Sequence, residues 1–290
     1  MIPASFEYHA AKTVDEALAL LDKYGEDGKV LAGGQSLLPM MKLRLAEPRH
    51  VIDISKIGEL RVVRELDGFL HIGAGVTEAG VIASELLRNK APLIGETACQ
   101  IGDPQIRNRG TIGGNLAHGD PGNDQPAVMM VLGASVTLRG KAGERSIPVD
   151  GFYSGFYSTQ MKQGELLTGI RIPVPAAGSG HSYRKLKRKI GDFATAAAAV
   201  QLSLDKNGNC AQIGIALTNL APVPLRVKDA EKLLVGKLIN DELIEQAAQI
   251  AMSACDPVED LHGPIDYRTH MAGEMTRRAL REALSRAGRQ

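Results

Sequence analysis

Residues 28–36 read GKVLAGGQS, a short apolar segment that leads directly into a pair of glycines, Gly33 and Gly34. The apolar residues predict a buried strand over 29–32 that ends at this pair. Glycine has no Cβ and adopts positive φ without strain, so consecutive backbone N–H groups can converge there on an anion. Ser36 adds a hydroxyl donor nearby. On its own, the segment fits a tight turn as well as an anion site.

A second glycine pair lies in residues 111–115, which read TIGGN. Thr111 and Asn115 flank Gly113 and Gly114 with a hydroxyl and an amide, and both groups can bind phosphate or ribityl oxygens. This pair alone also fits a tight turn. Two such segments, with polar partners at matching positions, favour a diphosphate that both of them bind.

The rest of the chain predicts a mixture of helices and strands. Strands are predicted over 29–32, 50–54, 60–64, 69–73, 134–139, 166–172, 197–204 and 210–217. Helices are predicted after Thr13, from Thr77 to about 88, from Pro92, from Pro126 to about 132, and over about 226–234, 240–254 and 265–288. The segment 105–124 is rich in Gly, Asn and Asp, and predicts an ordered loop or short strands rather than a helix. Strands in adjacent hairpins make the fold class α+β.

Composition and charge exclude several classes of protein. The chain has 290 residues, with 34 basic and 33 acidic side chains, so its net charge of +1 offers no basic field for nucleic acid. Three scattered cysteines indicate a reducing compartment and cannot supply the four ligands of an iron–sulfur cluster. The most apolar run, AVMMVLGASV, is about half a membrane span, and the start shows no signal-peptide pattern. We therefore expect a cytoplasmic protein that is not transmembrane.

Common catalytic and cofactor motifs are absent from the sequence. The segment 73–78, GAGVTE, has Glu78 where a Rossmann fingerprint needs its third glycine, and there is no P-loop. The histidines and cysteines lack the spacing of zinc ligands. The sequence thus identifies no catalytic residue and no metal site, and a bound cofactor would have to supply any redox chemistry.

AGGQS at 32–36 and TIGGN at 111–115 resemble the two flavin signatures in the medium subunits of the molybdenum hydroxylases, which include the xanthine dehydrogenases. The resemblance extends over essentially the whole chain through LLPMMKLRLAEP (37–48), AHGDPGNDQP (117–126) and KRKIGDFAT (187–195). This last segment favours the aerobic carbon monoxide dehydrogenase branch, although Gln35 stands where that branch has histidine.

The resemblance implies an FAD-binding domain of the vanillyl-alcohol-oxidase (PCMH) type over residues 1–175, in subdomains of about 1–55 and 56–175. A C-terminal α+β domain would follow over 178–290. The prolines and glycines of residues 173–180, PVPAAGSG, are typical of such a boundary.

The resemblance also implies FAD as the cofactor and places it against a set of residues in both glycine segments and beyond them. These residues are Ala32, Gly33, Gly34, Gln35, Ser36, Thr111, Ile112, Gly113, Gly114, Asn115, Asp124, Leu166, Lys185 and Phe193. Asp124 fits an ordinary helix cap before Pro126 equally well, and Phe193 fits either a flavin-shielding aromatic or a core residue. The five cations within residues 184–189 fit a solvated face or an electropositive edge near the cofactor.

Finally, the resemblance implies a complex. A molybdopterin large subunit would oxidise the substrate, and an iron–sulfur small subunit would pass electrons to FAD on this chain and on to an external acceptor such as a quinone. The complex would be a heterotrimer or a heterohexamer, and peripheral contact with the inner face of the membrane stays open. The alternatives are the FAD subunit of an N-heterocycle or aryl-CoA oxidising enzyme, a free-standing FAD oxidoreductase of this fold, and a flavin-free assembly protein, which the paired glycine segments disfavour.

Overall fold

The structure is a computed structural model that describes residues 2–288. The predicted domains begin at residue 1 and end at residue 290, and these terminal positions lie outside the described residues. Among the described residues, no helix is long and apolar enough to span a membrane.

The N-terminal part forms a small parallel sheet beside helix α1. Its elements are β1 (Glu7–Ala10), α1 (Val14–Tyr24), β2 (Gly28–Leu31), α2 (Leu37–Lys42) and β3 (His50–Asp53). The strand order is β1-β3-β2, and both pairings are parallel. Helix α1 begins where the Thr13 hydroxyl accepts a hydrogen bond from the backbone N–H of Glu16, as the sequence predicts. Its buried face packs in one apolar cluster with Ile52 of β3.

The middle of the chain first forms a β-hairpin and then a series of short helices. The hairpin consists of β4 (Val63–Leu66) and β5 (Phe69–Gly73). The helices are α3 (Glu78–Ala83), α4 (Glu85–Lys90), α5 (Pro92–Ala98), α6 (Pro104–Arg107), α7 (Ile112–Ala117) and α8 (Gln125–Val131). Asp67 and Gly68 join the two strands in a two-residue turn, with positive φ at both residues.

Two predictions for this part of the chain are wrong. The single helix predicted from Thr77 is two helices, because Ser84 has an extended backbone and its hydroxyl caps α4 through the N–H of Leu87. The segment 105–124 contains α7 and most of α6 instead of only loops. Asp103 and Thr111 cap these two helices with side-chain oxygens 2.8 and 3.1 Å from backbone nitrogens, and this capping outweighs the poor helix propensity of glycine.

Further strands complete an antiparallel sheet with the hairpin. They are β6 (Ser135–Gly140), β7 (Gly143–Pro148), the ribbon strands β8 (Tyr153–Gly155) and β9 (Ser158–Thr159), and β10 (Leu166–Pro173). The sheet has the order β4-β5-β10-β6-β7, and β8 and β9 pair with each other in a separate two-stranded ribbon. The residues of 173–180 then lead from this sheet into the next one.

The C-terminal part is a second antiparallel sheet with helices on it. Its elements are β11 (Gly180–Leu186), β12 (Ala196–Leu204), β13 (Cys210–Thr218), β14 (Leu225–Arg226), α9 (Lys228–Leu234), α10 (Asp241–Ala254) and α11 (Ile265–Arg286). The strands follow one another in order, and α11 packs across β11 and β12. The α+β class predicted from the sequence is confirmed.

Strand β12 is buried on both of its faces. Ala196, Ala198 and Val200 lie in an apolar cluster with the C-terminal helices. Ala197 and Ala199 point the other way, into a cluster that includes α8 and the five-stranded sheet. The small side chains of β12 therefore allow two packed layers to approach one strand from opposite sides.

Glu78, at the start of α3, is a carboxylic acid inside this core with only 1% of its surface exposed. One carboxyl oxygen accepts a hydrogen bond from Gln125 Nε2 at 2.9 Å, and the other has no hydrogen-bond partner among the described residues. Burial raises the pKa of Glu78 to about 7, and the negative charge of Asp124 adds to the rise, whereas the Gln125 hydrogen bond opposes it.

This raised pKa predicts a pH-dependent stability. Glu78 is neutral when folded at low pH, so its favourable contribution is present below about pH 4.5 and is lost as the pH rises through about 7. We expect the free energy of unfolding of wild type to fall by about 3 kcal/mol between pH 5 and 8 because of Glu78. The variant Glu78→Gln should not show this fall. Denaturant titrations of ligand-free protein measure this, with Glu85→Gln as the control because Glu85 is exposed at the same position of α4. Equal pH profiles for wild type and Glu78→Gln would contradict the assignment.

Candidate functional site

The two glycine segments lie against each other in the folded chain. A Cβ on Gly33 would lie 2.1 Å from the carbonyl oxygen of Arg109 and 2.8 Å from the Cα of Gly110, so there is no room for a side chain at this position. Next to this contact, the backbone N–H of Glu78 donates to the carbonyl of Gly110 at 2.9 Å. The loop after β2 and the loop before α7 are thus packed backbone on backbone, and only glycine at position 33 permits it.

A cleft of about 540 Å³ lies along this contact, which is a typical size for a small-molecule site. Eleven of the fourteen residues predicted from the sequence line it: Ala32, Gly33, Gly34, Gln35, Ser36, Thr111, Gly114, Asn115, Asp124, Lys185 and Phe193. They come from three separate parts of the chain, namely the loop after β2, helix α7 with the start of α8, and β11 with the loop that follows it. The fold therefore brings together most of the residues that the resemblance implied.

The first glycine segment offers unpaired backbone donors to the cleft. No acceptor within the described chain takes a hydrogen bond from the backbone N–H groups of Gly34, Gln35 or Ser36. Gly34 has a φ of 79°, a left-handed conformation that only glycine adopts readily. The Ser36 hydroxyl makes no capping bond to α2. This segment has the open donors that a phosphate group needs.

The second glycine segment has no such open backbone donors, and the interpretation of this segment as an anion site is wrong. All four backbone N–H groups of residues 112–115 are engaged, in order by the Val76 carbonyl, the Ala74 carbonyl, the Thr111 hydroxyl and the Thr111 carbonyl. The segment is the first turn of α7, so its N–H groups cannot converge on an anion. What it presents to the cleft is the open surface of Gly114 and the side chain of Asn115.

Three predicted site residues are not in the cleft. Ile112 and Gly113 are buried beneath it, and a Cβ on Gly113 would lie 2.4 Å from Ala74 Cβ, so this glycine serves close packing of α7. Leu166 lies in the apolar cluster under α1, with Ile57 and Leu60, because its position in β10 directs the side chain to that core. The assignment of Leu166 to the cofactor is not supported by this placement.

Asp124 and Lys185 form a buried ion pair at the inner end of the cleft. Lys185 Nζ lies 2.7 Å from Asp124 Oδ2, and both side chains are at most 5% exposed. The Tyr183 hydroxyl donates to the other carboxylate oxygen at 2.5 Å. Asp124 stands at the N-terminus of α8 but makes no side-chain cap there, so the helix-cap interpretation is wrong. Among the basic run, Lys185 is thus a buried, paired residue rather than part of a solvated face.

Phe193 lies in the loop between β11 and β12, at the cleft, with 49% of its surface exposed. This exposure excludes the core interpretation, since a core phenylalanine is almost fully buried. An exposed aromatic ring at a cleft is available to stack on a planar ligand.

Several lining residues are not among those that the sequence placed at the cofactor. Glu78, His118 and Asn123 all face the cleft, and Asn123 Nδ2 donates to the Asn115 carbonyl at 2.7 Å. Burial lowers the pKa of His118, which favours its neutral form. The side-chain oxygens Glu78 Oε1 and Asn115 Oδ1 are buried without a donor among the described residues. Free backbone donors, unpaired acceptors and an exposed aromatic together fit a ligand with phosphates, hydroxyl groups and a flat ring, as FAD has.

Comparison with known proteins agrees with this geometry. Residues 4–175 match the family described as FAD binding domain in molybdopterin dehydrogenase, and residues 181–283 match the CO dehydrogenase flavoprotein C-terminal domain. The carbon monoxide dehydrogenase medium chains of Hydrogenophaga pseudoflava and Afipia carboxidovorans are each 50% identical to this chain over 287 residues, 99% of both proteins.

Solved structures agree as well. A carbon monoxide dehydrogenase structure from Hydrogenophaga pseudoflava matches 99% of this chain and 100% of the solved chain, with a TM-score of 0.98 and 51% identity. Quinoline 2-oxidoreductase from Pseudomonas putida 86 matches with a TM-score of 0.93 at 32% identity, over 98% of this chain and 99% of the solved one. The resemblance seen in the sequence is confirmed, with FAD as the cofactor: the chain is an oxidoreductase subunit that belongs to the family of FAD-binding medium subunits of the molybdenum hydroxylases.

Proposed function

We propose that this chain is the medium subunit of an aerobic carbon monoxide dehydrogenase and passes electrons from the iron–sulfur clusters of a small subunit through FAD to an external acceptor. The observation that carries the proposal is the cleft, whose unpaired backbone donors, unpaired side-chain oxygens and exposed aromatic ring suit FAD. In this proposal, a molybdopterin large subunit oxidises the substrate. The 50% identity with two carbon monoxide dehydrogenase medium chains supports the choice of substrate.

The loop after β2 would hold the diphosphate of FAD. The backbone N–H groups of Gly34, Gln35 and Ser36 are unpaired within the described chain, and so can donate to phosphate oxygens. The Asn115 amide and Thr111, which caps the N-terminus of α7, complete this part of the site. When bound, FAD supplies the redox chemistry, because it accepts and releases electrons that no side chain of the cleft can carry.

The other side of the cleft would hold the flavin ring. Phe193 would cover a face of the ring and exclude water from it. The ion pair of Lys185 and Asp124 would fix the inner wall, since two charges this deeply buried are held by each other and by Tyr183. The unpaired oxygens of Glu78 and Asn115 suit the hydroxyl and imide donors of the ligand.

We further propose that the chain works in a cytoplasmic heterohexamer that can contact the inner face of the membrane, with a quinone or another carrier as electron acceptor. The second candidate is the FAD subunit of an N-heterocycle oxidising enzyme. It is favoured by Gln35, which departs from the histidine of the carbon monoxide branch and lines the cleft.

The native complex tests the proposal. Purified from its source under air, it should contain molybdenum, iron–sulfur clusters and one FAD per medium chain, and carbon monoxide should bleach the flavin absorbance under anaerobic conditions. Bleaching by an N-heterocycle but not by carbon monoxide would favour the second candidate. Substrate oxidation by this chain alone would identify a free-standing oxidoreductase.

We expect Gly114→Val to abolish FAD retention while the protein stays folded. A Cβ at this exposed position would meet only the Thr111 hydroxyl, at 2.9 Å, and the rest of the side chain would stand in the cleft. The matched control is Gly95→Val, because Gly95 lies in the short helix α5 and a Cβ there meets nothing within 4 Å. Flavin released by acid is counted per chain, alongside circular dichroism. Full FAD occupancy in Gly114→Val would show that α7 does not contact the cofactor.

We expect Phe193→Ala to shift the flavin midpoint potential and raise flavin fluorescence, with little change in melting temperature. The stacking lost is worth about 1 kcal/mol, and the ring is too exposed to contribute much to the core. Phe156→Ala is the control, since Phe156 is 50% exposed and does not line the cleft. An unshifted potential in Phe193→Ala would show that the ring does not cover the flavin.

A further inference from the structure

Three side chains with metal-binding atoms meet on the N-terminal sheet, away from the cleft. Glu7 and His9 are on β1, and His50 is on β3. The parallel register of the two strands pairs Glu7 with His50, and alternate residues of one strand share a face, so all three project from the same side. Sequence spacing alone does not reveal this cluster, because His50 is 41 residues from His9 and the spacing matches no metal motif.

The distances between the three candidate ligand atoms suit a zinc ion. His9 Nε2 lies 3.2 Å from His50 Nδ1, and Glu7 Oε2 lies 3.4 Å from His50 Nδ1 and 3.9 Å from His9 Nε2. Ligands at about 2.0–2.2 Å in a tetrahedron are separated from one another by about 3.3–3.6 Å. The three atoms therefore approximate one triangular face of a tetrahedral site, and only Glu7 has to move by a few tenths of an ångström.

The two imidazole rings are held in place by packing. The His50 ring stacks on Tyr24 with centroids 3.7 Å apart, and the His9 ring stacks on Tyr24 at 4.8 Å. Both histidine side chains are about four-fifths buried, whereas Glu7 is exposed and free to adjust. Ligands that are positioned before a metal arrives bind it with less loss of conformational entropy.

The nearby cations are engaged by other groups. Lys23 Nζ donates to the Tyr24 hydroxyl at 3.1 Å and lies 4.8 Å from the centre of the Tyr24 ring, on which the histidines stack. Arg49 lies 3.7 Å from an oxygen of Asp27. In the absence of metal, the two imidazoles can share one hydrogen bond between their facing nitrogens, and a metal ion would replace that shared proton.

We propose that Glu7, His9 and His50 form a binding site for a divalent transition metal ion, with Zn²⁺ as the ion that suits it best and a water molecule as the fourth ligand. Two imidazoles and one carboxylate are ligands that zinc accepts in proteins, and they also bind Co²⁺, Ni²⁺ and Cu²⁺. The ion would join β1 to β3. Since β1 is a four-residue edge strand that, among residues 2–288, pairs only with β3, this link would fasten β1 to its sheet.

The test uses the full chain with FAD bound and any purification tag removed. Titration with Zn²⁺ in a calorimeter should show one strong site per chain, and Co²⁺ should give the visible absorption bands of a four-coordinate ion. We expect His9→Gln and His50→Gln each to weaken Zn²⁺ binding at least tenfold, and Glu7→Gln to weaken it by a smaller factor. The control is His71→Gln, because His71 is a partly buried histidine on β5 outside the cluster. Zinc should raise the melting temperature of wild type and of His71→Gln, but not that of the variants at the three ligand positions.

Two results would overturn the proposal. The first is that wild type shows no saturable binding of Zn²⁺ at millimolar concentration. The two histidines would then only be hydrogen-bonded to each other and would not be metal ligands. The second is wild-type affinity in the double variant of His9 and His50, which would place the ion elsewhere. If the histidine variants do not fold, Glu7→Gln decides alone, because Glu7 is exposed and unchanged Zn²⁺ affinity in that variant would also reject the site. FAD content measured on the same samples keeps this outcome separate from that of the flavin site.

Discussion

The backbone contact between Gly33 and residues 109–110 is the constraint on which the cofactor cleft depends. It brings a loop of the small parallel sheet against the loop that starts α7, at a separation that leaves no room for a Cβ. Two neighbouring glycines also leave no room for a Cβ. An added Cβ on Gly113 would clash with Ala74, and one on Gly73 would lie 2.3 Å from the carbonyl oxygen of Leu60. Around the cleft, Gly33, Gly73 and Gly113 are thus sites of close approach, whereas Gly34 is a site of positive φ.

The cleft gains its chemistry from parts of the chain that contribute differently. The loop after β2 brings unpaired N–H groups, α7 brings an open surface and an amide, and β11 brings a cation that is neutralised by Asp124 from α8. A polar ligand is then bound mostly by neutral donors and acceptors, with the strongest charges already paired inside the protein. Such a site can hold a dianionic diphosphate without a free lysine or arginine at its centre.

Local signals in the sequence were sufficient for most of the secondary structure, because turns at Asp67-Gly68 and caps such as Thr13 act within a few residues. They failed at residues 111–115, where glycine suggested a loop but the Thr111 cap and packing on Ala74 formed a helix. Tertiary contacts were beyond reach: nothing near Glu78 shows that it is buried beside Gln125, 47 residues away. The resemblance found most of the cleft but misplaced Leu166, whose side chain is set by the pleat of β10.

The double burial of β12 has a consequence for the solubility of fragments. Its odd-numbered alanines, together with Tyr183 of β11 and Ala216 of β13, form the face that covers the larger apolar cluster of the preceding residues. A polypeptide starting near residue 178 would expose this face to water as a continuous apolar patch, even if its own helices packed correctly on the other side. Proteolytic or engineered separation at the proline-rich segment would therefore yield a C-terminal piece prone to self-association, and the intact chain keeps that surface covered.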